Sequence, residues 1–508
     1  MNVLFISIDS LTRDFLDIYG GGTEFDVQTP NLDRFAERAL VFDNHYAGSL
    51  PCMPARREFL AGVQEFLWRP WGPIEPFDIT LPRLANDQGA ITQLITDHYH
   101  YFEHGSHGYF TDYEGWTLIR GHEGDHWRTS PPDPDPVLLR QVLAVDAEGN
   151  SFGAGRDASM RARYARNVSG FSDECDFFPA KVFSSAREWL EQNHRWPTWF
   201  LYIDSFDVHE PFHVPEPYAS MYTDEDPRDP ELIVWPIYGR VDQGESFLTP
   251  RQLAFVRAQF AGKITMVDRW FGEVLDALDR LDLWQSTMVI VTTDHGHYLG
   301  EHGWVGKPGA PLYNTLAKTP LLIWHPDNAA PGRRTNALTA AVDLNATMAE
   351  TAGAPAGGPH SRSLLPLIRD ERRDHRAWTL YGYWGSSVNI TDGRFTYLHP
   401  NVAGMPASLT STMLMNRFPG QFDPPSPPSH AEAGRFLPYA DVPAWQFFAP
   451  SAVRNAEPLL FDTVNDPGQE ANLATAAPAE TGRMRDLLIA ALRELEAPAD
   501  LYGRLDVD

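Results

Sequence analysis

The chain has 508 residues, of which 43% are hydrophobic and 21% charged; this is ample for a large core and excludes wholesale disorder. Its 41 Lys and Arg against 68 Asp and Glu leave a net charge of −27. Such a surface repels nucleic acid and anionic lipid at long range, so neither is expected as a partner, and an anionic substrate needs a local cationic pocket. The two cysteines, Cys52 and Cys175, are too few for a disulfide framework in a chain of this size. The first residues, MNVLFISIDS, carry no basic segment ahead of a long apolar one. No stretch reaches the roughly 18 apolar residues of a membrane span, and a cytoplasmic location is expected.

In chain order, short apolar runs fit buried strands: VLFISI at 3–8, ITQLIT at 91–96, TWFLYI at 198–203, TMVIVTT at 287–293 and PLLIW at 320–324. Helical patterns lie between them. One covers about 179–193, with Val182, Ala186, Trp189 and Leu190 on one face. A longer one starts with Thr249 as N-cap and Pro250 at the first helical position. Its apolar residues Leu253, Val256, Phe260, Ile264, Val267, Phe271, Val274 and Leu278 recur in steps of three and four, as one face of a long amphipathic helix does. Strands alternating with helices predict an α/β fold, a large, mostly parallel sheet flanked by helices. Residues 104–137 and 403–445 read as long loops. After about residue 375 the pattern changes. RAWTLYGYW and GRFTYLHP fit antiparallel strands, and a last helix is expected near 478–496. The division expected is a catalytic α/β domain over 1–375 and a smaller C-terminal α+β subdomain over 376–508.

Ligands of open α/β sheets bind beyond the carboxyl ends of the strands. Here the first strand runs into Asp9, the second precedes Asp97, His98 and His100, the third leads to Asp204, Asp207 and His209, and the fourth ends at Asp294 and His295. Four predicted strands thus deliver acid or imidazole groups to one sheet edge. Asp9, Asp294 and His295 suit a divalent ion, since two hard carboxylates and an imidazole favour Ca²⁺, with Mn²⁺ and Mg²⁺ also open, over a thiolate-seeking metal.

A lone cysteine is usually a small buried hydrophobe, and Cys175 is read as inert. Cys52, however, opens the segment CMPAR, followed by REFLAG. This resembles the signature of the sulfatase family, a branch of the alkaline phosphatase superfamily: Cys, any residue, Pro, Ser or Ala, then Arg. The stretches IDS, TPNLDRFAERALVFDNHYA, TTDHGHYLGEHGWVGK and LFDTVNDPGQEANLA resemble the same family.

The resemblance implies an alkaline phosphatase-like fold and a sulfuric ester hydrolase. Its nucleophile would be formylglycine (3-oxoalanine), made from Cys52 by a transiently bound formylglycine-generating enzyme. The hydrated aldehyde would place one oxygen on the metal and attack sulfur, releasing inorganic sulfate. By position, Asp9, Asp294, His295 and the oxidised Cys52 would bind the metal, and Arg56 would steady the nucleophile. His209 and Lys307 would bind the sulfuryl group and protonate the leaving oxygen. His98 would contact substrate, and His100 would be the base that frees sulfate. His297 and His302 are expected to serve elsewhere, as positions beyond the ligand usually point away. Trp116, Arg120, His122 and Trp127, in the loop 105–130, are candidates for binding a sugar.

Two departures matter. Many members carry a second acid after the first strand, where this chain has Ser10, leaving Asp14 or the serine hydroxyl to compensate. The related phosphonate monoester hydrolases also lack that acid. His98 stands where the family often has Lys. A small sulfated molecule, including a sulfated carbohydrate, is the leading substrate class. A phosphonate monoester or phosphodiester handled by the same residues is the alternative, and a non-catalytic metal-stabilised binding protein the distant one. A homo-oligomer is compatible with all three.

Overall fold

The apolar runs assemble into one mixed sheet of eight strands. In spatial order these are Arg334–Thr335, Leu40–Phe42, Leu321–Trp324, Thr287–Thr292, Asn2–Ile8, Trp199–Ser205, Ile91–Thr96 and Gly115–Leu118. The computed structural model describes residues 1–507 apart from 104, 130–132, 145–155, 308, 356 and 414–429. Neighbouring strands are parallel except where Leu321–Trp324 meets its two partners.

Both faces of the sheet are covered, which is why the central strands read as unbroken apolar runs rather than alternating ones. Leu4, Ile6 and Ile8 point to one face, where they join Phe183 of the helix Phe178–Asn193 and Phe260 and Val267 of the helix Pro250–Arg280. Val3 and Phe5 point to the other, against Met53 and Phe59 of the helix Cys52–Ala61 and Leu344 and Met348 of the helix Asp343–Thr351. Among the described residues no helix is long and apolar enough to cross a membrane.

Two regions read as loops contain strands. Gly115–Leu118 is the sheet's edge strand; its four residues are exposed or half-buried, so no apolar period marks it. Ala407–Ser411 and Glu432–Gly434 pair with Ala444–Ala449 in a three-stranded sheet. The readings at 104, 130–132 and 414–429 lie outside the described residues.

A five-stranded sheet follows residue 375, in the order Leu459–Asp462, Phe395–His399, Val388–Thr391, Thr379–Tyr383 and Ser49–Leu50. Its last strand comes from the N-terminal part of the chain: Ser49 and Leu50 pair in parallel with Gly382 and Tyr383, immediately before Cys52. The helix Pro478–Glu494 packs on this sheet through Met484 and Leu488, which meet Leu380, Ile390 and Tyr397. We propose a division near residue 375 in which the second unit anchors the segment that enters the Cys52 helix.

The long helix begins with a capping box. The Thr249 hydroxyl accepts from the Gln252 amide at 3.2 Å, and the Gln252 side chain accepts from the Thr249 amide at 2.9 Å. Replacing Thr249 by Ala removes half of this exchange and is expected to cost about 1 kcal/mol. The check is a lowered thermal midpoint with unaltered turnover, since the cap lies on the surface.

Candidate functional site

The sheet edge collects the predicted groups. Asp9 follows Asn2–Ile8, Asp97 and His98 follow Ile91–Thr96, Asp204 lies at the end of Trp199–Ser205, and Asp294 and His295 follow Thr287–Thr292. All six are fully buried. Cys52, 3% exposed, opens its helix just above them. Gly296 completes the turn after His295: a Cβ there would meet the Thr315 carbonyl oxygen at 1.8 Å, so only glycine fits.

Arg56 sits one helical turn beyond Cys52 and ties three acids together. Its guanidinium grips Asp204 through Nε and Nη2, both at 2.9 Å, reaches Asp294 through Nη1 at 2.6 Å, and lies 3.0 Å from Asp9. It also donates to the Cys52 carbonyl at 3.1 Å. Asp204 accepts further from Ser7 at 2.5 Å and Tyr101 at 2.7 Å. Burial pushes Asp9 upward, but the positive charges around it, Arg56 first, hold it well below the usual carboxylate range.

Asp9, Cys52, Asp294 and His295 each present a donor atom, all within 4.8 Å of one another. The set fits a divalent cation on its own chemistry. Asp9 Oδ2 is buried and makes no hydrogen bond, its neighbour being the Arg56 guanidinium 3.0 Å away. His295 Nδ1 is 2.8 Å from the Gly296 carbonyl, an arrangement that leaves Nε2 as the metal-facing nitrogen. Burial lowers the His295 pKa and so favours the neutral, ligating imidazole. Asp14 is not in this group. Ser10 is beside it: its hydroxyl donates to Asp9 at 2.7 Å and accepts from Lys307 at 3.2 Å, and its amide donates to Asp294 at 3.1 Å. Burial pushes the Cys52 thiol well above its ordinary range, so an unmodified Cys52 is a protonated and weak nucleophile.

His209 and Lys307 line the same cavity as Cys52. Between them stands Glu210, which sequence reasoning passed over although it adjoins His209. Its carboxylate is 3.4 Å from His209 Nδ1, 3.6 Å from Lys307 Nζ and 3.2 Å from His297 Nε2. Burial lowers His209 to about 4. Burial also works against the Lys307 charge, but Glu210, Cys52 and Asp9 outweigh it and hold its pKa above the ordinary lysine value. Behind them, Lys263 pairs with Asp207 and donates to the His209 carbonyl at 2.7 Å, and His122 lies 2.8 Å from Asp207.

His98 and His100 part company. His98 is fully buried, 3.6 Å from Asp9, and does not line the cavity. Burial pushes its pKa far down, so it stands as a neutral ring beside the metal-binding acids. His100 does line the cavity, with Nδ1 2.6 Å from Glu103 and Nε2 3.2 Å from Glu123. Burial raises Glu123, but the contact with His100 prevails and brings it to about 2. His297 binds back toward Glu210 and the Tyr298 carbonyl, and His302 stacks on Tyr313 at 3.7 Å.

The cavity measures about 1360 Å³, with Cys52, His209, Glu210 and Lys307 in its lining. Trp71, Tyr99, Phe102, Trp116 and Trp235 supply aromatic walls. Arg120 is among the lining residues but is already paired with Asp125 at 2.7 and 2.8 Å. Of the four proposed sugar-binding residues, Trp116 and Arg120 face this space. His122 is buried against Asp207, and Trp127 lies under Arg128.

Comparison with known proteins adds to this geometry. Residues 1–354 match the model of the Sulfatase family. The multifunctional alkaline phosphatase superfamily protein PehA of Trinickia caryophylli is 26% identical over 419 residues, 73% of this chain and 77% of its own. The choline-sulfatase of Rhizobium meliloti is 23% identical, with 78% of each chain covered. The phosphonate monoester hydrolase of Agrobacterium radiobacter shares the fold, with a TM-score of 0.63 at 20% identity over 98% of this chain and 95% of its own.

If Asp294 is a ligand, Asp294→Asn is expected to lower the metal content of the purified protein several-fold, measured by inductively coupled plasma mass spectrometry. Unchanged stoichiometry would remove it from the ligand set.

Proposed function

The chain belongs to the sulfatase family of sulfuric ester hydrolases, and from that membership we propose that it hydrolyses a sulfate ester in the cavity above Cys52. The observation that carries this reading is the meeting of Cys52, Asp9, Asp294 and His295 within 4.8 Å at a cavity that His209 and Lys307 also line. Residue 52, oxidised to formylglycine and hydrated, would supply the attacking oxygen. A divalent ion held by Asp9, Asp294, His295 and residue 52 would sharpen that nucleophile and offset charge on the sulfuryl oxygens.

The chain's own residues do the rest. Arg56 fixes the Cys52 turn through its carbonyl, pairs with Asp294 and holds Asp9 ionised. Lys307 orients a substrate oxygen. With burial lowering His209 to about 4 and its Nδ1 2.8 Å from the Glu210 carbonyl, the proton available to the leaving oxygen near neutral pH resides on Lys307. His100, which lines the cavity with Glu103 and Glu123 at its two ring nitrogens, would be the base that frees sulfate. His98 acts through Asp9 rather than on substrate directly. Ser10 in place of a second acid, and relatives with phosphoester names, keep the phosphonate monoester and phosphodiester reading as the second one.

The decisive measurement is the mass of the proteolytic peptide containing residue 52, expected about 18 Da below the cysteine form because a thiol has become an aldehyde. A fully unmodified peptide from the native host would overturn the nucleophile assignment. Cys52→Ala is expected to abolish turnover. Lys307→Ala should slow esters with poor leaving groups more than those with good ones, by tenfold or more. A uniform loss across a leaving-group series would take the acid role away from Lys307.

A further inference from the structure

Glu210 is a buried acid that the reaction above leaves without a task, and it stands among groups that bind anions. It is 3% exposed and lines the cavity with Cys52, His209 and Lys307. One carboxylate oxygen faces Lys307, His209 and His297 at 3.6, 3.4 and 3.2 Å, and the other accepts from the Tyr238 hydroxyl. It is held ionised: burial would raise its pKa, but His209 and Lys307 bring it well below the ordinary range.

A fixed negative charge in an anion pocket weakens binding of every anion. Glu210 lies 3.6 Å from Lys307 Nζ, so a substrate oxygen held by that ammonium at hydrogen-bond distance is within about 6.5 Å of the carboxylate. At such a separation repulsion grows with each unit of substrate charge. Sulfate monoesters, phosphodiesters and phosphonate monoesters carry one negative charge; a phosphate monoester carries two above its second pKa of roughly 6. Of the arginines that line the cavity, Arg120 is paired with Asp125, while Arg161 and Arg163 donate to backbone carbonyls; Lys307 is the cation that Glu210 faces directly.

We propose that Glu210 is a specificity-determining residue that admits singly charged ester heads and rejects doubly charged phosphate monoesters. The inference rests on the reading of this cavity as an ester-hydrolysing site. It makes charge, rather than the choice between sulfur and phosphorus, the property the site selects.

The test uses oxidised, metal-loaded enzyme and three esters of one leaving group, 4-nitrophenyl sulfate, phenylphosphonate and phosphate, at pH 8. Wild-type enzyme is expected to turn over the phenylphosphonate at least tenfold better than the phosphate by kcat/KM; a preference for the phosphate overturns the proposal without any variant. Glu210→Gln is expected to raise the phosphate rate relative to the sulfate rate by about tenfold, equivalent to about 1.4 kcal/mol. The phenylphosphonate should move with the sulfate, and Glu210→Asp should keep the wild-type ratio. An equal loss on all three esters in Glu210→Gln overturns the proposal and makes Glu210 only a support for His209 and Lys307. A phenylphosphonate that moves with the phosphate overturns it as well, since the element then decides. If fully oxidised wild-type enzyme turns over none of the three, the ester-hydrolase reading itself falls.

Discussion

The site depends on one guanidinium serving three buried carboxylates. Asp9, Asp204 and Asp294 are all fully buried, and Arg56 touches each within 3.0 Å. Removing one ion from water costs several kcal/mol even after relaxation, and the debt is met only when charges are paired and hydrogen-bonded. One cation among three anions leaves two negative charges, which a single divalent cation balances. The four donor atoms within 4.8 Å offer that ion a place. Arginine suits this position because its five donors form a rigid fork; a lysine ammonium has no second arm for Asp204 while the first holds Asp294.

The fold exists, at this edge, to bring those charges together against their repulsion. Asp9, Asp204 and Asp294 come from three adjacent parallel strands, whose register sets Ser7 opposite Asp204 and Thr292. The strands are rigid because both faces are packed, so the carboxylates cannot retreat to water. Arg56 arrives on a separate helix, and that helix is entered through a strand held by the C-terminal sheet: Ser49 and Leu50 pair with Gly382 and Tyr383. In the proposed division, this pairing would let the second unit fix where the Cys52 helix begins.

This division of labour explains what could be read without coordinates. The central strands were legible because a strand buried on both faces must be continuously apolar, and the acids were legible because they end those runs. Thr249 and Pro250 announced their helix through local chemistry, and the observed bounds, Pro250–Arg280, begin where the cap demands. The edge strand Gly115–Leu118 was not legible, since a half-exposed edge needs no apolar pattern. Nor was the pairing of Ser49–Leu50, which joins residues more than 300 positions apart through two short strands of no distinctive composition. Asp204 was noted at a strand end, but its bond to Arg56 spans 148 positions. Glu210 and Glu123 escaped for a related reason: a single acid in a polar loop has no signature until its imidazole or ammonium partner is seen beside it.

The net charge of −27 then takes on a meaning beyond solubility. Long-range steering works against an anionic substrate, but screening confines that penalty to about 8 Å at physiological ionic strength. Recognition is therefore decided inside the cavity, where the charges of Lys307, Arg161 and Arg163 stand beside those of Glu210 and Glu123. On the proposed reading, such a site would hold an ester by its charged head and stack the remainder on Trp71, Trp116 and Trp235, which line the cavity. Affinity from such stacking would be shared by ground and transition states, whereas Lys307 and residue 52, in their proposed roles, would meet the charge that develops on reaction. On that reading the walls would select the body of the substrate, and the buried charges at the sheet edge would determine the chemistry done to its head.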